Sequence, residues 1–369
     1  MKNMKNTKNI LFGTILGLFF TFGILGCSKW TQPEAEDFYE PPTEAYTDNM
    51  KDYFSSPHKV MFGWFGNWAG EGGSMQYSLM GLPDSIDFVS LWLCWGNLTE
   101  AQQKDLKNFQ ARGSKAVLCW RAGNIGANLT PAVEILEDGT VVEHPQTHSD
   151  ESWRKKFWGI PKVEVYDIES PDYPAYIDSL VAAAEKYAMA IVDTCRKYDI
   201  DGFDYDIEDW GDLMSASHPE VPNAFMRKLY AEFQKDGRML VADIPGGLGW
   251  LDFYDVLEND VLESLEYLVW QTYDLTGSGL DNFFYTSSYG VKAHNPEMFE
   301  CVMRKSIVTA TFEEATKKSR FLEQCKWTPS FGIEPAGYGA YHIEYDYPGN
   351  PDYGTVREGI SLLNPPILK

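Results

Sequence analysis

The stretch "IDGFDYDIEDWG", Ile200 to Gly211, decides how the rest of the chain is read. Between Asp201 and Asp209 it places five carboxylates in nine positions, interleaved with Phe203, Tyr205 and Ile207. Like charges this close repel one another, and a solvated acidic face has no need of large apolar residues between its charges. Alternation with period two marks a strand, whose successive side chains point to opposite faces. Asp204, Asp206 and Glu208 then share one face, and Phe203, Tyr205 and Ile207 the other. In a closed β/α barrel the apolar face packs outward on helices. The acidic face points inward, near the C-terminal end of the strand, where this architecture places its active site. A calcium loop of EF-hand type needs Gly at its sixth position and Glu at its twelfth. Counted from Asp204, those places hold Asp209 and Ser215. A solvated acidic turn leaves the alternation unexplained.

Working outward, a helix is predicted from about Tyr176 to Tyr198. Its residues Tyr176, Leu180, Ala184, Tyr187, Ile191, Cys195 and Tyr198 recur at three- and four-residue spacing. Strand-like segments stand at 59–68, 85–95 and 114–123 before it, and at 238–246, 265–274, 306–315 and 336–347 after it. Helix-like segments lie at 99–113, 223–237, before Trp327 and near 355–363. With the acidic stretch this makes eight strands interleaved with helices, so parallel pairing is expected. The fold predicted is α/β, a single (β/α)8 TIM barrel over residues 58–369. An open doubly wound sheet is the runner-up. No Gly-rich phosphate loop follows the first strand, which weakens a nucleotide-binding version of it. The largest insertion runs from Gly126 to Ser170. Within it "AVEILEDGTVVEH" reads as a hairpin turning at Asp138-Gly139, expected to rise beside the active face.

The N-terminus reads as a targeting segment. Lys2, Lys5 and Lys8 precede an apolar run from Ile10 to Ile24, and Ile24-Leu25-Gly26-Cys27 resembles a bacterial lipoprotein box. Residues 1–26 are read as the signal peptide, Cys27 as the lipidated residue and 27–57 as an acidic, Pro-rich tether. The alternative is a membrane-spanning anchor, for which the run is at the short end of the ~17–25 residues required. A lipid anchor, the only membrane link expected, implies attachment to the bacterial outer membrane, at the cell surface or the periplasmic face. Removing residues 1–26 takes away three lysines and no acid, moving the formal charge from −23 to −26. Such a surface repels phosphate backbones, so no nucleic-acid partner is expected. A neutral carbohydrate is compatible, and aromatic residues, at 15% of the chain, supply flat faces for sugar rings. Cys94, Cys119, Cys195, Cys301 and Cys325 form no CxxC pair and read as free thiols in apolar runs. The six His show no zinc-type spacing. No metal, no cofactor and a monomer are expected.

The pattern Asp201-x-x-Asp204-x-Asp206-x-Glu208 resembles the DxxDxDxE signature of glycoside hydrolase family 18, which comprises chitinases and endo-β-N-acetylglucosaminidases. "VWQTYD" (269–274) resembles the family's sixth strand. "AGYGAYHIEYDY" resembles the eighth strand of endo-β-N-acetylglucosaminidase-like lipoproteins of Bacteroidetes type. The resemblance implies a retaining glycosidase with no enzyme nucleophile, an exception among glycosidases. The substrate's acetamido oxygen attacks the anomeric carbon to give an oxazolinium, which water then opens. On this resemblance Glu208 is general acid and then base, Asp206 orients the acetamido group and Asp204 backs it. Tyr273 hydrogen-bonds the acetamido oxygen and Gln271 assists. Three carboxylates in one pocket titrate as a coupled set, and Glu208 is expected to hold the shared proton. The third strand departs from the family's Ser-x-Gly-Gly ending, reading Cys119-Trp120-Arg121-Ala122-Gly123-Asn124. Substrate contacts on that side do not transfer.

Trp64, Trp95, Trp120, Trp210 and Trp270 lie near strand ends, and each either stacks on a sugar or packs the core. Asp243 and Glu344 either bind sugar hydroxyls or cap a helix. The expected activity is endo-β-N-acetylglucosaminidase, cutting between the two N-acetylglucosamines of an N-glycan core. The partner expected is thus an N-acetylglucosamine-containing glycan or glycoprotein. A chitinase is the alternative within enzymes. A non-catalytic glycan-binding lipoprotein is the alternative outside them, and its expected mark is loss of the acid.

Overall fold

The computed structural model describes residues 43–144 and 151–365; the lipoprotein segment and Cys27 lie outside them. Eight parallel strands form the sheet: β1 (Val60–Phe65), β2 (Phe88–Trp92), β3 (Lys115–Arg121), β4 (Gly202–Asp206), β5 (Met239–Pro245), β6 (Tyr267–Gln271), β7 (Ser306–Thr311) and β8 (Gly337–Tyr341). Each pairs with its sequence neighbours, and β8 returns to β1 with Val60 opposite Gly337. That last ladder closes the barrel and removes the open-sheet alternative. The fold is a single-domain TIM barrel.

Strand parity divides two kinds of core. Inward-facing Val60, Phe62, Phe88, Val117, Cys119, Val241, Val269 and Ile307 fill the barrel, with Phe88 stacked on Tyr267 at 5.2 Å between ring centroids. Outward-facing residues meet the helices. The helix Tyr173–Tyr198 buries Tyr176, Leu180, Ala184, Tyr187, Ile191 and Cys195, the stripe expected from its periodicity. It stops where Asp199 turns left-handed (φ 53°), and it packs on the helix Glu220–Asp236. Burying each large apolar side chain of such a stripe contributes about 1.5–3 kcal/mol, which presses the helix layer onto β4.

Ahead of β1 the chain is helical from Glu44 to Ser55, inside the stretch read as a tether. The Tyr53 hydroxyl accepts from Asn364 Nδ2 at 3.3 Å. In the insertion, Val133–Ile135 pairs antiparallel with Val141–Glu143. Gly139 (φ 82°) takes the turn, as the Asp-Gly pair predicted. Among the described residues no helix is long and apolar enough to cross a membrane. The five cysteines from Cys94 onward are free thiols.

Candidate active site

Period two puts Asp204 and Asp206 on the inner face of β4, as the sequence required, and both are buried. Register places Asp243 of β5 beside Asp206, so a further buried aspartate joins the cluster. Asp204 Oδ2 accepts the Ser90 hydroxyl at 2.6 Å. Gln271 Nε2, at the end of β6, donates to Glu208 Oε1 at 2.6 Å and to Asp243 Oδ1 at 2.7 Å, with Asp206 Oδ1 more distant at 3.5 Å. One amide therefore bridges the acids of two strands and fixes their spacing.

The other signature acids serve elsewhere. Asp201 Oδ2 accepts from the Ala116 backbone N–H at 2.8 Å and from Gln110 Nε2 at 2.9 Å. It ties the start of β4 to β3 at the opposite end of the barrel from Glu208. Asp209 turns away from the acids and receives both Nε and Nη2 of Arg121, at 3.0 and 2.6 Å.

Burial sets the electrostatics. It raises the Asp206 carboxyl well above its usual range, with the charges of Glu208 and Asp204 adding to it. It raises Asp243 likewise, with Asp206 and Asp204 adding, and pushes Asp204 up to about 6 against the Ser90 bond that lowers it. Asp243 lies within hydrogen-bond reach of both Asp204 and Asp206. Contacts of that kind between carboxyls require a proton between them. Asp204 Oδ1 has no other donor. A shared proton thus has a seat among the three buried aspartates. Burial also holds the Tyr273 phenol well above its usual value, the nearby carboxylates reinforcing it, so it remains an O–H donor throughout the neutral range.

Above this floor opens a cleft of about 160 Å³, lined by Trp64, Trp92, Arg121, Asp206, Glu208, Gln271, Tyr273 and Tyr341. Trp64 meets Tyr273 and Tyr341 edge-on, each at 6.2 Å, and Tyr341 stacks with Tyr273 at 5.8 Å. Glu208 stands at the mouth with its side chain 26% exposed. Of the two carboxyls lining the cleft, it is the more exposed.

The structure brings together Glu208, Asp206, Asp204, Gln271, Tyr273, Trp64 and Asp243, and separates the remaining candidates from the cleft. Trp120 and Trp270 have outward parity and are core residues. Trp120 Nε1 donates to the Tyr187 hydroxyl at 2.9 Å, and Trp270 Nε1 to Ser306 Oγ at 3.0 Å. Trp95 and Trp210 are 48% and 47% exposed and do not line the cleft; Trp210 lies on Phe253 at 4.2 Å. Glu344 is neither a sugar ligand nor a helix cap. Fully buried, it accepts from the Gly66 N–H at 3.0 Å and from Asn67 Nδ2 at 3.3 Å, and pairs with His342 Nδ1 at 2.7 Å. It clamps the loop after β1 to the one after β8. Sequence reasoning missed Arg121, Trp92 and Tyr341. Each is the last inward-parity residue of its strand, a signal that was available.

Among the described residues, two groups have cation-like spacing. Asp206, Glu208 and Asp243 offer oxygens within 4.8 Å of one another, but the Gln271 amide, a donor, already occupies the place of an ion. The second group uses Cys119 with Asp204 and Asp243. Burial raises the Cys119 thiol well above its usual value, the nearby carboxylates adding to it, leaving it protonated and a poor ligand.

Comparison with known proteins accords with this geometry. A model of glycoside hydrolase family 18, BT1044-like, matches residues 31–151. A selenomethionine glutamate-to-glutamine variant of BT1044 superimposes with a TM-score of 0.67 at 28% identity, covering 89% of this chain and 94% of that one. The chain is thus similar to glycoside hydrolase family 18 in sequence over residues 31–151 and in fold over most of its length. The barrel also shares its fold with the endo-β-N-acetylglucosaminidase of Cordyceps militaris, solved with fucosyl-N-acetylglucosamine-Asn. The TM-score there is 0.57 at 18% identity, over 88% of this chain and 97% of that one. A family 18 chitinase of Pseudoalteromonas aurantia follows at 0.51 and 12% identity, over 83% of this chain and all of that one. No curated protein sequence matches the chain.

Proposed function

We propose that this barrel is a family 18 endo-β-N-acetylglucosaminidase that cuts between the two N-acetylglucosamines of an N-glycan core by substrate-assisted catalysis. We propose further that it is anchored to the outer membrane through Cys27. The observation that carries the catalytic reading is the inequality of the two carboxyls lining the cleft. Glu208 reaches solvent at the mouth, whereas Asp206 lines the cleft from a buried position below it. A two-carboxylate mechanism uses one group on each side of the scissile bond, ~5–9.5 Å apart. Asp206 instead ends β4 two residues before Glu208 and lies under it, suited to hold an acetamido N–H.

In this reading Glu208 protonates the glycosidic oxygen while the acetamido oxygen attacks the anomeric carbon and displaces the leaving sugar. Asp206 accepts from the acetamido N–H, and its buried partners Asp204 and Asp243 take up the proton changes. Tyr273 donates to the acetamido oxygen. Water then adds to the oxazolinium, giving its proton back to Glu208, and configuration is retained. Proton transfer by a positioned acid supplies ~10²–10⁴-fold. The attack within one molecule supplies much of the rest, because it replaces an encounter by a fixed geometry.

The N-glycan substrate is favoured over chitin by the closer superposition on the Cordyceps glycosidase, solved with an N-acetylglucosamine-Asn ligand, than on the chitinase. The test incubates the purified barrel with defined N-glycoproteins and with chitin oligomers and weighs the products. A single N-acetylglucosamine left on asparagine is expected. Chitobiose from the oligomers would make it a chitinase, and binding without any product would make it a glycan-binding lipoprotein. Glu208→Gln is expected to lower turnover ~10²–10⁴-fold while glycan binding, measured by calorimetry, is retained. Near-normal turnover in that variant would sink the assignment.

A further inference from the structure

We infer that Asp209 is a positioning residue for Glu208, acting through Arg121 by drawing onto itself a cation that would otherwise pair with the catalytic carboxyl. The inference rests on the assignment of Glu208 as the acid of the proposed reaction.

Arg121 ends β3 opposite Asp206 in the ladder, which aims its guanidinium across the mouth of the cleft. Its Nε is 3.4 Å from Glu208 Oε2, in ion-pair range but without the second bond of a fork. Asp209 takes the fork instead, with Nε at 3.0 Å and Nη2 at 2.6 Å, the arrangement in which arginine binds a carboxylate best. The Asp209 bond is also the foremost influence holding the guanidinium charged, burial opposing it and Glu208 adding to it. A cation fully committed to Glu208 would favour the ionised form, which has no proton to donate. A cation removed altogether would leave Glu208 facing the negative field of Asp206 and Asp243. Asp209 holds the intermediate condition.

Exposed ion pairs commonly contribute little, because two long side chains must be ordered to make them. This pair is seated by backbone. Leu213 and Met214 both donate to the Gly123 carbonyl, at 3.0 and 3.2 Å, and Gly211 donates to Met214 O at 2.9 Å. Asp212 accepts from Ile125 N–H at 2.8 Å and from both arms of Arg154, at 3.0 and 2.7 Å. A Cβ on Gly123 would come within 2.7 Å of the Asp209 carbonyl oxygen. The loops after β3 and β4 are thus one packed unit, and the Asp209–Arg121 distance is fixed by that unit. The groups facing Glu208 are Arg121 from β3, Asp206 from the end of β4, Asp243 from β5, Gln271 from β6 and Tyr273 just beyond it.

The test compares Asp209→Asn, Arg121→Gln, the double variant and Arg121→Lys by two readouts. One is the alkaline limb of the kcat/KM pH profile. The other is the carbon-13 NMR titration of the Glu208 carboxyl, assigned by its loss in Glu208→Gln. Asp209→Asn is expected to move both midpoints down by about 0.5–1 pH unit, and Arg121→Gln to move them up by a similar amount, as one unit charge at this distance in a wet site dictates. The double variant is expected near the parent value, and Arg121→Lys in between, since it keeps the charge without the fork. Shifts in the same direction, or none, overturn the inference. Should Arg121→Gln fail to fold, the nearly isosteric Asp209→Asn alone decides the direction. Opposite NMR shifts without cleavage of any N-acetylglucosamine glycan would leave the charge setting intact and refute the functional reading. Cleavage with an unmoved Glu208 midpoint would do the reverse.

Discussion

Replacing Asp204 by asparagine should make the barrel more stable at neutral pH while impairing it as an enzyme. Asp204 is fully buried, and its carboxyl is raised from 3.8 to about 6. In the unfolded chain the same group titrates at its ordinary value. Below about pH 4 both states are protonated and the group costs nothing. As pH rises the unfolded state releases its proton first, so stability is lost progressively through the window from about 4 to about 6. Above it the loss is complete. Two units at 1.36 kcal/mol each come to about 3 kcal/mol, with no discount for solvent because the group is sealed. Asparagine escapes this cost. Its carbonyl can still accept from Ser90, and its amide supplies a donor where Asp204 Oδ1 now depends on a shared proton. Urea denaturation of both proteins at several pH values between about 4 and 8 measures the gap. It should be near zero at the acid end and approach 3 kcal/mol at the neutral end, with glycan turnover reduced throughout. A gap that does not vary with pH, or one that favours the wild type as pH rises, would refute the reasoning.

Tyr273→Phe removes the phenol donor from the cleft, and kcat should fall ~10²-fold or more, as when one donor to a developing charge is lost; an unchanged kcat would remove Tyr273 from the reaction. Trp120→Ala should cost about 3–5 kcal/mol of stability without changing KM, whereas Trp92→Ala should raise KM with stability nearly intact. Thermal melts set beside Michaelis curves separate the two, and a KM effect at Trp120 would contradict its place in the helix-facing core. Gly211→Ala brings a Cβ to within 2.2 Å of the Gly123 carbonyl oxygen, so the loop must move; kcat/KM should drop more than stability does. Equal kinetics in that variant would show that the seating of Asp209 is immaterial.

The eight strands were readable because each is a short apolar run bounded by polar or glycine-rich sequence, with helical periodicity between many of them. The acids of β4 were readable because parity alone fixes their face. What could not be read was register between strands. That Asp243 stands beside Asp206, and Arg121 opposite it, depends on how far each strand is staggered around the closed barrel, and no local pattern carries that stagger. The same ignorance made five tryptophans look equivalent. Parity within β3 and β6 already separates Trp120 and Trp270 from Cys119 and Gln271, which point inward. Applied to the last residue of each strand, that rule selects Trp92, Arg121 and Tyr341, three cleft residues that composition near strand ends did not.

Asp209 shows the limit of parity as a guide to function. On the alternation it belongs to the face away from the cleft, and that is where it lies, yet its contact with Arg121 reaches back to Glu208 through a side chain of the neighbouring strand. A barrel permits this because adjacent strands end side by side, so a residue facing away from the site on one can meet a residue facing it on the next. The crowding of acids between Asp201 and Asp209 then resolves into distinct tasks. Asp201 joins strand starts, Asp204 and Asp206 hold buried protons with Asp243, and Glu208 meets the cleft. Asp209 holds the cation beside it. Repulsion among the five is limited because two of them have been given donors of their own at opposite ends of β4, and only the middle group is left to share protons.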